Sequence, residues 1–168
     1  MPKSIKGKTW KLGDDINTDL IIPGPYLTLR DSKKMTHHVL ETVIPNFAEK
    51  IRKNDIIVAG KNFGSGSSRE IAPQQLKQIG VGAVVAESFA RIFFRNAINI
   101  GLPVVECRGI ARSVKEGDML EINFETGEVK NHSKNESYMG TRLPKFLLEI
   151  IEAGGALKRL KQSAQQMA

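Results

Sequence analysis

The sequence has one cysteine, Cys107, and that scarcity removes several kinds of chemistry at once. A lone thiol forms no disulfide within the chain, and it cannot hold an iron–sulfur cluster, which is bound by several thiolates. Histidine is nearly as sparse. His37 and His38 are adjacent, His132 stands in a polar stretch, and none has the spacing of a metal-ligand set. Long apolar runs are missing as well. The richest stretch, 81–105, is broken by Glu87, Arg91, Arg95 and Asn96, short of the ~20 apolar residues of a membrane span. The start MPKSIKGKTWKLGDD is basic and lacks the apolar core of a signal peptide. The expectations are a cytoplasmic protein, no membrane contact and no metal held by this chain. Neither an internal repeat nor low complexity interrupts the chain, apart from the polar ending QSAQQMA.

What is present is ordinary for a soluble globular domain: 168 residues, 40% hydrophobic and 26% charged. One domain spanning 1–168 is expected, with 162–168 a frayed tail. The net charge of +7 favours acidic partners, among them nucleic acid, acidic proteins and small carboxylates or phosphates. Much of the excess sits near the ends, in Lys3, Lys6, Lys8 and Lys11 before the first acid at Asp14, and in Lys158, Arg159 and Lys161. Solvated termini account for it most simply.

The apolar runs Ile56-Ile57-Val58-Ala59 and Ala83-Val84-Val85-Ala86 are short enough for buried strands, and Leu102-Pro103-Val104-Val105-Glu106 gives a third. Between them Ile71, Leu76 and Ile79 share a helical face that ends at Gly80, and 88–100 is helical up to Gly101. Strand, helix and strand in that order predict a parallel β-α-β core with right-handed crossovers. Segment 33–51 holds one or two helices broken by Pro45, and 119–130 alternates around Thr126-Gly127 as an edge hairpin. A closing helix over 143–160 is ended or interrupted at Gly154-Gly155.

The chemistry concentrates in Gly64-Ser65-Gly66-Ser67-Ser68-Arg69, which follows one predicted strand and opens a predicted helix. Free N–H groups and a helix N-terminus aimed at one spot make an anion site. Gly64 and Gly66 permit close approach, Ser67 or Ser68 can cap the helix, and Arg69 can grip a carboxylate with two parallel hydrogen bonds. The same residues read equally well as a glycine-rich turn with a serine cap and a surface arginine. No Walker lysine is present. A second cluster, Gly13-Asp14-Asp15-Ile16-Asn17-Thr18-Asp19, lacks the alternation and closing glutamate of a calcium loop and reads by itself as a solvated turn. Arg91 and Arg95 lie one helical turn apart beside Phe89, Phe93 and Phe94, which suits either a helix packed on its phenylalanines or an RNA-binding stripe.

Five segments in order resemble one family: Gly13 through Asp19, Pro23-Gly24-Pro25-Tyr26-Leu27, Gly60 through Glu70, Ser88-Phe89-Ala90-Arg91-Ile92-Phe93, and Arg95-Asn96-Ala97-Ile98-Asn99-Ile100-Gly101. The family is that of the small subunits of isopropylmalate isomerase and homoaconitase, whose fold matches the mobile fourth domain of aconitase. The resemblance implies an α/β swivel domain in three layers, β/β/α, with a mostly parallel central sheet and flanking helices. It also implies a hydro-lyase that isomerises a 2-hydroxy di- or tricarboxylate by dehydration and rehydration. The first expectation is 3-isopropylmalate, in leucine biosynthesis; homoaconitate or another malate derivative is the alternative.

Carried over by position, Ser67 becomes the base that removes and returns the proton, and Asp19 an active-site carboxylate. Arg69, Ser68, Arg30 and Gly66 become substrate-binding groups. A [4Fe–4S] cluster is implied on a large partner subunit, in a heterodimer or heterotetramer, with no cofactor on this chain and no nucleic acid in its function. The segment Tyr26-Leu27-Thr28-Leu29-Arg30 matches neither the YLRT form of homoaconitate enzymes nor the YLVY or YLVM form of isopropylmalate enzymes, so it leaves the substrate open. A stand-alone carboxylate-binding or RNA-binding module is the more distant reading.

Overall fold

A computed structural model describes residues 3–67 and 69–167. Each buried apolar run becomes a strand where expected: β2 is Ile56–Ala59, β3 Ala83–Ala86 and β4 Val104–Glu106. All four residues of β2 and of β3 are buried, because both faces of a parallel sheet are covered. The neighbour of β2 on its other side is β1, Ser4–Lys11, whose Ile5, Gly7 and Thr9 turn inward while Lys6 and Lys8 turn out.

The sheet has seven strands in the order β4-β3-β2-β1-β5-β6-β7, with β5 at Met119–Asn123, β6 at Glu128–Asn131 and β7 at Glu136–Met139. Three strand pairs are parallel and three antiparallel. The sheet is therefore mixed, with a larger antiparallel share than expected. The 119–130 segment is the expected half-exposed hairpin, β5 pairing antiparallel with β6, but it does not end the sheet: β5 also pairs with β1 from Ser4↔Asn123 to Lys8↔Met119, and β7 extends the meander beyond β6.

The sheet curls, since Val58 and Val85 from the parallel half share one apolar cluster with Leu120, Ile122 and Val129 from the antiparallel half. That gives the two β layers. The helical layer covers the other face, where Ile57, Val84 and Val104 meet Phe47, Leu76, Phe93 and Ile151. Its helices are α1 (Thr18–Ile21), α2 (Ser32–Thr36), α3 (Phe47–Lys50), α4 (Ile71–Ile79) and α5 (Arg91–Asn99), followed after α6 (Ile110–Ser113) by α7 (Lys145–Glu152) and α8 (Ala156–Met167). Gly154 and Gly155 divide α7 from α8 as anticipated. Residues 162–167, expected as a fray, instead continue α8, in keeping with the high helix propensity of its Ala, Gln and Met. Among the described residues no helix is long and apolar enough to cross a membrane.

Candidate functional site

The three segments that follow β1, β2 and β3 meet at the carboxyl ends of the parallel strands, where ligands of open α/β sheets bind. They are laced together by backbone bonds. Gly60 N–H donates to Gly13 O (3.1 Å), Asp15 N–H to Lys61 O (2.8 Å), Gly64 N–H to Ile16 O (2.7 Å) and Thr18 N–H to Ser65 O (2.9 Å). Phe63 N–H donates to Ser88 O (3.0 Å), and Ala90 N–H returns a bond to Phe63 O (2.9 Å). Two sequence clusters some fifty residues apart thus form one surface.

The acids of the first cluster now have individual tasks. Asp14 Oδ1 accepts from Lys61 N (2.7 Å) and Asp15 Oδ1 from Asn62 Nδ2 (3.1 Å), so both fasten the loop. Asn17 Oδ1 caps α1 by accepting from Leu20 N (2.9 Å), which sets Asp19 in the first turn of that helix. Asp19 Oδ1 then takes a hydrogen bond from Arg69 Nη1, closing an ion pair between the two clusters.

Gly64 has φ +82° and Gly66 φ +98°, a region that favours glycine, and a side chain on Gly64 would run into the ring of Phe93. This winding leaves the N–H groups of Ser65, Gly66 and Ser67 without an acceptor among the described residues, a candidate anion nest. Ser67 is exposed on its rim. Its Oγ lies 3.4 Å from Thr18 Oγ1, and Thr18 Oγ1 donates to Ser67 O at 3.3 Å. Thr18 is buried and was missed as a site residue, although it stands inside the Asn17-Thr18-Asp19 motif. Its signal was a hydroxyl between two residues already singled out.

Ser67 does not take the N-cap position of the following helix. Helix α4 begins at Ile71 behind Glu70, with no side-chain cap. The nest and the Arg69 guanidinium are the candidate anion-binding groups of this loop. Ser68 lies outside the described residues. Arg30 is exposed just beyond the 3₁₀ turn Gly24–Thr28 and makes no hydrogen bond or ion pair with the described residues. Its turn is braced from behind. The Tyr26 ring stacks on His38 at 3.6 Å between centroids, and His38 Nδ1 is 2.8 Å from Glu41 Oε2. Bonding to Glu41 raises the Tyr26 hydroxyl above its ordinary pKa. Arg91 and Arg95 are both exposed on α5, whose Phe93 is buried.

The model of the aconitase C-terminal domain matches residues 25–108. The small subunit of isopropylmalate/citramalate isomerase from Methanocaldococcus jannaschii is 51% identical over 162 residues, covering 96% of each chain. This chain belongs to the isopropylmalate dehydratase small-subunit family. The 3-isopropylmalate dehydratase small subunit of Hydrogenobaculum sp. is 54% identical over 94% of this chain and 96% of its own. A crystal structure of a 3-isopropylmalate dehydratase from M. jannaschii superposes with a TM-score of 0.92 at 41% identity, covering 98% of this chain and 97% of that one.

The residues of this small subunit do not fit the ligand set of an iron–sulfur cluster. Cys107 is buried in the sheet core, where desolvation, with the Glu87 carboxylate adding to it, pushes the thiol up to about 11. Among the described residues no three His, Cys, Asp or Glu side chains gather as ligands.

Proposed function

We propose that this chain is the small subunit of a 3-isopropylmalate dehydratase, a hydro-lyase of leucine biosynthesis that acts together with a large subunit. The observation that carries the reading is the meeting of Ser67, Asp19 and Arg69 at the carboxyl edge of the parallel strands, in a chain about half identical to proteins bearing that name.

The residues suit the chemistry. In the dehydration a proton leaves the carbon beside a carboxylate, its bonding pair forms the double bond, and hydroxide departs from the neighbouring carbon; rehydration at the other carbon completes the isomerisation. Negative charge builds on the carboxylate as the proton leaves, so fixed donors aimed at it lower the barrier. Arg69 and the N–H groups at 65–67 are such donors, and Gly66 lets the carboxylate approach them closely. Ser67 takes and returns the proton. A hydroxyl does this only as an alkoxide, and the neighbouring Arg69 cation and nest N–H groups favour the charged form. Asp19 holds Arg69 in place, and Arg30 reaches toward the far end of the substrate. Ser68 supplies a further hydroxyl to the carboxylate. The ligands of a [4Fe–4S] cluster are assigned to the large subunit.

Citramalate is the second substrate to test, because the M. jannaschii relative is named for both acids. The experiment is to purify the chain with its large subunit and follow the unsaturated acid by ultraviolet absorbance, using 3-isopropylmalate, citramalate and homoaconitate in parallel. Activity from the pair and from neither chain alone is expected. Turnover by this chain alone, or a cluster-loaded pair inert on all three acids, would overturn the reading.

A further inference from the structure

A second concentration of charge lies at the opposite end of β2 from the candidate site. Lys6 and Lys8, from the outward face of β1, meet Lys50, Arg52 and Lys53, from the end of α3 and the turn before β2, around a hollow of about 560 Å³. The lysines expected only as a solvated terminus are thereby gathered with a second basic segment forty-odd residues farther along.

Asp55 is the one acid lining the hollow, and it is spent: its Oδ2 accepts from Trp10 Nε1 and from Arg52 N, both at 2.9 Å. None of the five cations makes an ion pair with the described residues. Like charges crowded round a hollow repel one another, and a multivalent anion relieves all of those repulsions together. Four of the five are lysines, which bind phosphate as point charges, and Arg52 adds a planar fork that also matches phosphate oxygens; five cations favour an anion of several charges over a single carboxylate. The volume falls within the usual range for small-ligand sites.

We propose that this hollow is a second ligand site, for a small polyphosphate anion such as pyrophosphate or the phosphate chain of a nucleotide. It stands apart from the dehydratase chemistry and does not rest on it.

Trp10, the chain's only tryptophan, lines the hollow and provides the readout. The intact chain is titrated with pyrophosphate and tripolyphosphate while Trp10 emission is followed, with calorimetry for stoichiometry. One saturating equivalent is expected, bound more weakly as salt rises. Lys50→Gln with Lys53→Gln, and separately Lys6→Gln with Lys8→Gln, should each lower affinity by about tenfold or more. Lys33→Gln with Lys34→Gln, which removes the same charge from α2, should leave it unchanged. An equal loss in that control, a response that follows ionic strength without saturating, or citrate binding as tightly as tripolyphosphate would each overturn the proposal. A short RNA that binds more tightly and displaces pyrophosphate would overturn it too, by giving the hollow to nucleic acid. The emission arm separates a nucleotide from bare pyrophosphate, since a base stacked near the indole quenches it further.

Discussion

Replacing Arg69 by alanine separates what the residue does for the fold from what it does for the reaction. Its ion pair with Asp19 joins side chains that are 27% and 65% exposed, so the pair is largely solvated. Such pairs stabilise by about 0–1 kcal/mol. For a domain of this length 1 kcal/mol corresponds to roughly 2–4 °C in Tm, so Arg69→Ala should melt no more than about 4 °C below the parent. The functional loss should be far larger. Removing the cation that holds a substrate carboxylate costs about 2–5 kcal/mol, or roughly 30-fold to several thousand-fold in kcat/KM. Arg69→Lys should recover the charge but only part of the activity, because it lacks the planar fork. Asp19→Asn on the Arg69→Ala background should add little, since Asp19 acts through Arg69. The assays are calorimetric melting of the isolated chain and steady-state kinetics of the assembled enzyme. A Tm drop of more than about 10 °C would make Arg69 a structural residue. A kcat/KM within threefold of the parent would remove it from the site.

Ser67→Ala should lower kcat by about 10²-fold or more with KM little changed, as loss of an acid–base group does; a near-parent kcat in the assembled enzyme would move the base elsewhere. Gly64→Ala should destabilise the chain and impair substrate binding together, because φ +82° and the Phe93 ring both oppose a side chain there. An unchanged urea midpoint would contradict that packing. Cys107 contributes a pH dependence of stability in the alkaline range. Its folded pKa, about 11, stands above the ordinary 9.0, so its contribution to stability is whole below pH 9 and is lost as pH rises toward 11. Cys107→Ala should therefore show a shallower fall in urea midpoint between pH 9 and 11 than the parent, and parallel curves would sink the assignment.

The parallel half of the fold was legible because its strands are buried on both faces and read as continuous apolar runs bounded by glycine. Strand β1 escaped notice for the opposite reason. Only one of its faces is buried, the other carries Lys6 and Lys8, and a four-lysine start reads as a charged tail. Strand β7 is mostly exposed, and its residues hold their place through pairing with β6 rather than through burial. At the site, Ser67, Asp19 and Arg69 were each legible in a motif, but only the family resemblance put them together; the residue pattern alone did not, because their meeting depends on a β1–β2 pairing whose first strand had not been seen. Ser67 does not cap α4 for a local reason: it lies exposed in the loop, and the helix starts only at Ile71.

The charge count at the carboxyl edge explains why half a site is what this chain should hold. Asp14 and Asp15 are taken up by loop donors, and Asp19 pairs with Arg69, so the 64–69 loop offers a dicarboxylate the Arg69 guanidinium and its backbone donors. A substrate carboxylate must compete with Asp19 for that guanidinium, which weakens binding to this chain alone. The second carboxylate of the substrate needs a cation of its own, and Arg30 is exposed and makes no ion pair among the described residues. Ser67 is likewise open to solvent, where water screens the charges that would make its hydroxyl basic. Closing a second protein surface over this edge would exclude that water, strengthen the Arg69 contact and confine Arg30. A partner surface over residues 19, 30, 65–67 and 69 would do this, and the large subunit implied by the family supplies a chain to provide it.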